Sequence, residues 1–380
     1  MNRRKFLTLI GGGTILAAGT AFGGFAATRT PSKALQPWHD AGSAYSEPRR
    51  KALSYAILAP NPHNRQPWKI DLSQPDTIKI FVDTDRMLPA TDPFNRQITI
   101  GFGCFLEVLR IAAAQDGYAV SEQLFPQGVD EKNLDDRPIA ILKFSKDDAV
   151  KKDPLFAHIL NRRSTKQPFD LNRRVPKGDL DALRSTVSDK ANTGATNDPD
   201  RVKQLRSLTS AALLLEIETP RTYRESVELF RIGKAEIETN PDGISFSGPL
   251  FESLALLGVF TKEAAIDPTS SGYKQGITAE LANTNSAMGY VWITSKTNTR
   301  KDQINAGRDY VRMNLVSTGQ GLSIHPLSQA LQEYPEMDDH FKTIHKMLAP
   351  NGGIIQMFAR LGYGQDKGPK PRWGLTTKIL

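Results

Sequence analysis

Apolar side chains recur at helical spacing in three parts of the chain. From Glu47 to Leu58, Ala52, Tyr55 and Ala56 share one face and predict a helix, and Trp68 to Leu72 and Ile78 to Val82 then read as two short strands. A helix is predicted over Gln97 to Gln115, with Ile98, Phe102, Phe105, Leu106, Leu109 and Ala113 on one face. Another is predicted over Asp302 to Gly319, with Ile304, Val311, Leu315 and Thr318 together. Each of these two carries a glycine followed fourteen residues later by another, Gly103 and Gly117 in the first, Gly307 and Gly321 in the second. Each also leads, after a gap, to a strand-like run: Pro138 to Phe144 and Ile354 to Arg360. The shared order reads as two related halves, although helix, turn and strand in that order also arise by chance.

The polar punctuation between these elements carries the candidate chemistry. Ala59 to Trp68 crowds Pro60, Pro62 and Pro67 against Asn61, Asn64 and Gln66. The prolines fix φ and remove backbone donors, while the amides offer donors and acceptors suited to the edge of a planar heterocycle. A plain connection from helix to strand would account for the composition equally well. Asp153 to Asn161 predicts a short helix that runs into Arg162, Arg163, Ser164 and Lys166, three cations and a hydroxyl within five residues. Arginine presents a planar fork to phosphate oxygens and lysine a point charge. The competing reading is a solvated basic turn favoured by the helix dipole. Lys370-Pro371-Arg372 adds two cations on a stiff segment, and two sparse basic sites can share one phosphate.

Composition narrows the classes. With 380 residues, 39% of them hydrophobic, the chain is long enough for one large core or two smaller ones. The net charge of +8 is spread along the sequence without a basic run interleaved with aromatics, so nucleic acid is not an expected partner. A single cysteine, Cys104, excludes an intramolecular disulfide and a cysteine-rich metal site, and His340 and His345 lack the spacing of a helical metal pair. No metal site is expected.

At the start, Arg3-Arg4-Lys5-Phe6-Leu7 precedes an uncharged run to Thr28 that contains six glycines and Ala26-Ala27. Residues 1–29 resemble a twin-arginine export signal, which implies the twin-arginine machinery as a partner and a periplasmic destination, with inner-membrane anchoring if the signal is uncleaved. That route carries proteins already folded, often with a cofactor in place. Residues 30–46 show no apolar period and read as a linker. Two halves then follow, 47–150 and 151–380. Pro241 to Tyr273, with Gly243, Gly248, Gly258 and Gly272 as hinges, is the candidate lid, or else an ordinary helical excursion on the surface.

Four segments together resemble the nitroreductase family of flavin enzymes: Pro60 to Trp68, Arg162-Arg163-Ser164, Gly321 to Leu327, and Arg360 to Tyr363 with Lys370-Pro371-Arg372. In ordinary members the Arg-Arg-Ser element precedes the Asn-x-Gln-Pro-Trp loop within one domain. Here the loop lies in the first half and Arg-Arg-Ser in the second, which is similar to the Acg-type branch, whose single chain mimics the usual homodimer.

The resemblance implies an α+β nitroreductase-like fold of two fused, pseudo-equivalent halves, each with a mostly antiparallel sheet flanked by helices. It implies a monomer, because the fusion satisfies the dimer interface internally. It also implies one FMN per chain. Arg162, Arg163, Ser164 and Lys166 would hold the phosphate and ribityl chain, and Lys370 and Arg372 would close on the phosphate. Pro60, Asn61, Pro62 and Asn64 would meet the ring, Gln66 would brace their loop, and Pro326, Leu327 and Ser328 would lie along the ring. Many relatives carry an acidic residue and a glycine where Ser328 and Gln329 stand, so the usual nicotinamide-handling geometry does not carry over.

The activity implied is an FMN-dependent oxidoreductase that takes electrons from a small-molecule donor and reduces nitroaromatic, quinone or similar acceptors. The cofactor supplies the redox chemistry. No catalytic acid or base is assigned, and His63 and His325 read as loop packing residues or ring neighbours. The alternative is a protein that sequesters FMN under its lid without substrate turnover.

Overall fold

The computed structural model describes residues 28–189 and 192–380, so the expected export signal lies outside it up to residue 27. Ten strands run in chain order: β1 Trp68–Asp71, β2 Thr77–Val82, β3 Tyr118–Leu124, β4 Ala140–Lys146, β5 Thr193–Thr196, β6 Phe230–Ile232, β7 Ile244–Phe246, β8 Gly289–Ser295, β9 Ser323–Pro326 and β10 Ile354–Gly362. They form an α+β architecture with two separate four-stranded antiparallel sheets, β1-β2-β4-β3 and β5-β8-β10-β9. In the first sheet Ile70 pairs with Ile80 and Ile78 with Leu142, and all four are buried, while Lys69 and Lys79 alternate outward. That alternation is the period-2 pattern of a sheet covered on one face.

The two long predicted helices form, as Arg96–Gln115 and Arg300–Gly319, and they pack along each other at the centre of the molecule. The second starts on a capping box, in which the Thr299 hydroxyl accepts from the Asp302 backbone N–H and the Asp302 carboxylate accepts from that of Thr299. The glycines at the crossing explain how close the axes come. A Cβ on Gly103 would stand 2.0 Å from the Ile304 carbonyl oxygen, and one on Gly307 would stand 2.0 Å from the Ile100 carbonyl oxygen. The contact is reciprocal, each glycine facing the carbonyl three residues before the other. Sequence spacing predicted one apolar face for Arg96–Gln115, yet the helix is buried almost all round. Its neighbours are the other central helix, the helix Pro48–Ala56 and β3, so no face is left for water.

Residues 30–46, expected as a linker, instead contain the helix Ser32–Asp40, with Ala34, Pro37 and Trp38 buried. Ordered structure therefore begins well before Glu47. The correction has a physical cause: an aromatic at i+4 from a small residue gives a helix one anchoring stripe, too short to register as a period beside Pro31, Pro37 and Gly42. The segment Pro241 to Tyr273 is folded. β7 pairs in parallel with β6, the helices Pro249–Leu256 and Lys262–Ile266 follow, and Phe230, Phe246, Phe251 and Phe260 make an aromatic cluster with centroids 4.8 to 6.2 Å apart.

Candidate functional site

The proline-rich loop is held in an unusual backbone. His63, Asn64 and Gln66 all take positive φ, at 45°, 53° and 49°. Side chains other than glycine pay for that conformation, so surrounding bonds must enforce it. Gln66, expected to brace this loop, bonds both within it and to segments outside it. It is fully buried, its backbone N–H donates to Asn61 Oδ1 at 2.8 Å, and its Nε2 donates to the Pro241 carbonyl at 2.8 Å. Its Oε1 accepts from Trp373 N at 2.9 Å, and its own carbonyl accepts from Lys378 Nζ at 2.8 Å. Asn64 is tied to the C-terminal segment: Nδ2 donates to the Pro371 carbonyl at 3.0 Å and Oδ1 accepts from Arg372 at 2.6 Å.

These bonds revise one expectation. The amides of Asn61 and Asn64, expected to face a ligand ring, are engaged within the chain, because a half-buried loop must satisfy its own polar groups first. Pro60 and Pro62 stand in the same loop, half-buried, with Pro62 opening its single 3-10 turn.

Around this loop the fold gathers cations from two distant parts of the sequence. Arg162 is 4% exposed and donates to Asn314 Oδ1 and to the Leu58 carbonyl, each at 3.0 Å. Arg372 is 5% exposed and donates to the carbonyls of Leu58 and Ala59 at 3.1 and 3.3 Å. The two guanidiniums thus meet on one carbonyl, that of Leu58. Lys370 keeps part of its surface exposed, yet protein crowding around its ammonium, with the charges of Lys166 and Arg372 in reach, pushes it down to about 8. Burial first and Arg162 second push Arg372 down to about 9, and burial pushes Arg162 down to about 10. Among the described residues no carboxylate forms an ion pair with Arg162, Lys166, Lys370 or Arg372.

Several buried polar atoms of this neighbourhood lack partners. Arg372 Nε and His63 Nδ1 have none, and the Tyr310 hydroxyl lies near Ser164 without reaching hydrogen-bonding geometry. Burial, then Lys166 and Arg65, holds the His63 imidazole down at about 3. Burial also takes His325 well below its ordinary value, with Arg360 and Lys166 adding to it, and His325 Nδ1 accepts from Arg360 Nε at 3.0 Å. Both rings are neutral near pH 7, so neither is a proton donor there.

The remaining predicted residues separate. Arg163 stands beside the cluster over the Trp38 ring, but Asp366 at 3.2 Å already matches its charge. Leu327 is buried in the second core with Tyr290 and Phe358, so its side chain does not lie along a ligand ring as expected. The residue follows the end of β9, its N–H donates to the Phe358 carbonyl of β10 at 2.9 Å, and its side chain joins the cluster that includes Val202 and Leu205 of the helix Pro199–Glu218. Pro326 ends β9 next to His325, and Ser328 opens the following 3-10 turn.

Sequence reasoning missed Trp38. Its ring lies 5.4 Å from the Arg163 guanidinium and 5.6 Å from that of Arg372, and its Nε1 donates to the Lys370 carbonyl at 2.8 Å. The segment read as linker therefore supplies a wall of the site. Arg360 was noted only as part of a motif. It is fully buried, stacks 3.9 Å over Phe169 and donates to the carbonyls of Thr165 and Gln167, fixing the turn that carries Lys166. A cavity of about 480 Å³ opens beside that turn, lined by Gln167, Phe169, Arg173 and Tyr363, and the clustered cations are not among its lining residues.

No family model matches the chain. Sequence relatives are found in Mycobacterium tuberculosis. One, provisionally named NAD(P)H nitroreductase acg, is 34% identical over 143 residues, which make up 37% of this chain and 40% of the relative. The match thus spans well under half the length of that relative. A second protein, with a similar provisional name, is 23% identical over 348 residues, 88% of this chain and 91% of the relative. Among solved structures, the FMN-dependent nitroreductase NfnB of Mycobacterium smegmatis in complex with NADPH overlays with a TM-score of 0.35 at 18% identity, covering 57% of this chain and 92% of that one. A nitroreductase with bound FMN from Bacteroides fragilis gives 0.32 at 12% identity, covering 59% and 95%. By sequence the chain is similar to proteins provisionally named nitroreductases, the resemblance that its four motifs led us to expect. Within that class, one of its relatives is the acg protein, the branch that the split order of the motifs indicated.

Proposed function

We propose that this chain is an FMN-dependent oxidoreductase of nitroreductase type, binding one FMN and passing electrons from a small-molecule donor to nitroaromatic, quinone or similar acceptors. The observation that carries the reading is the pair of buried, uncompensated cations Arg162 and Arg372, joined by the more exposed Lys370 and Lys166, beside the loop Asn61–Gln66. A buried cation without a counter-ion is costly, and a phosphate dianion would satisfy several at once. The residues fit the group: Arg372 Nε and His63 Nδ1 are buried polar atoms left open for a partner. Bound there, FMN would supply the two-electron chemistry. The chain's part is to hold the phosphate on Arg162, Lys370 and Arg372, to keep His63 and His325 neutral, and to keep the loop in its left-handed backbone. The family resemblance and the names of the relatives support the same reading.

Export by the twin-arginine route as a folded monomer is part of this proposal, resting on Arg3-Arg4 and the uncharged run behind them. A second reading, FMN held without turnover, is favoured by the anchoring of the candidate lid. Asp242 at its root binds Arg65, Arg86 and Arg231 at 2.9, 2.7 and 2.9 Å, a clamp that resists opening.

One experiment separates them. The purified protein is expected to carry one FMN, measured by its visible spectrum and by flavin released on denaturation. Anaerobic bleaching by NADPH supports the oxidoreductase. Bleaching by dithionite alone supports the holder, and a colourless protein that takes up no added FMN overturns both.

A further inference from the structure

Among the described residues, a long apolar segment without a single buried residue lies on the candidate lid. From Ile244 to Thr261, ten of eighteen residues are apolar and one, Glu252, is charged, yet none of the eighteen is buried. Leu250, Leu256 and Leu257, on and just after the helix Pro249–Leu256, are 65%, 80% and 74% exposed. The inward side of the same segment is committed to the cluster of Phe246, Phe251 and Phe260, so the leucines are what it turns outward. An exposed apolar face of this kind marks a surface with an occupant.

The chain outside the structure indicates which occupant. Residues Phe6 to Thr28 contain no charged side chain. Where this run joins the described fold it is fastened to the lid: Arg29 pairs with Glu252 at 2.9 Å, and Lys234 Nζ donates to the Thr28 carbonyl at 3.2 Å. Glu252 is the single charged residue of the lid helix, and Leu256 stands one helical turn beyond it on the same side. Thr28 and Arg29, the first described residues, therefore sit at the helix that carries the leucine face, with Lys234 at the same place as a cation for anionic headgroups.

We infer that the leucine face of the lid docks on a lipid surface. The docked element connects directly to the candidate site, because the lid root grips its loop: Gly243 N donates to the Asn64 carbonyl at 3.3 Å, and Gln66 Nε2 donates to that of Pro241 at 2.8 Å. Lipid docking stands independently of the flavin assignment.

Cys104, the sole cysteine, is buried, so an introduced surface thiol can be labelled selectively. An environment-sensitive dye is placed on full-length Leu257→Cys and, as controls elsewhere on the surface, on Gln127→Cys and Lys342→Cys. Each is mixed with phosphatidylethanolamine and phosphatidylglycerol vesicles carrying brominated acyl chains. The expected result is a blue shift at 257 with at least about twofold stronger bromine quenching than at either control. Equal quenching at all three positions overturns the proposal, since tethering by the leader alone would produce it. A blue shift at 257 without vesicles also overturns it. If that shift grows with protein concentration, a second copy covers the face; if it does not, the leader does. The flavin spectrum of each labelled sample reports separately on the functional reading.

Discussion

Two groups of arginines meet the loop Asn61–Gln66, one of them through the loop's own Arg65, and they differ in one respect. Arg65, Arg86 and Arg231 converge on Asp242, whose side chain is 5% exposed, and Asp83 adds a second carboxylate to Arg86 at 3.0 Å. This cluster brings its own anions. Arg162 and Arg372, with Lys370 and Lys166, bring none among the described residues and rest on carbonyls and amide oxygens. The first is a finished clamp between the lid root and the loop. The second completes its electrostatics only when an anion arrives, which is the mark of a binding site rather than a structural one.

The largest effect that would test the contrast is at Asp242. Asp242→Asn leaves three guanidiniums facing a neutral group, and the loss expected is about 3–5 kcal/mol, read from the midpoint of denaturant unfolding. A variant as stable as the parent would erase the distinction between the clusters. Next comes Arg372→Gln, which removes one charge from the uncompensated group. FMN affinity is expected to fall roughly 10- to 100-fold, while ligand-free stability changes much less than in Asp242→Asn. Equal losses in both quantities would make Arg372 structural.

The smallest effect is a pH dependence. In the ligand-free fold Lys370 titrates at about 8, whereas the unfolded chain holds that proton to about 10.4. Because the unfolded state binds more protons in that window, stability should rise with pH between those values, and this group contributes no slope below them. Arg372 at about 9 and Arg162 at about 10 act in the same direction. Lys370→Gln should flatten the low end of the rise in a melting series, and bound FMN should suppress the rise in the parent, since a phosphate keeps the lysine protonated. A parent whose stability falls across this window would contradict the proposed burial of an unpaired cation.

Much of the frame was legible in the residues. The central helices, β1, β2, β4 and β10 follow from apolar periods strong enough to outweigh local alternatives, and Gly103 and Gly307 marked a close crossing before any contact was known. The bracing role of Gln66 was also expected. Trp38 was hidden because the period of a nine-residue helix with one proline at its N-cap and another in its second half is too weak to see. Arg163 and Leu327 were misassigned because their neighbours Asp366 and Phe358 lie 203 and 31 residues away in the chain.

The sequence alone determined which side chains were available: the cations at 162 to 166 and 370 to 372, the prolines that stiffen the loop, and the uncharged run at the start. These are local properties of covalent structure and spacing. Tertiary structure alone decided which of the cations are neutralised. Ion pairing inside a protein depends on the few ångströms around each charge, and here those ångströms are filled by residues from Trp38 to Arg372, brought together only when both sheets and the helices between them have packed.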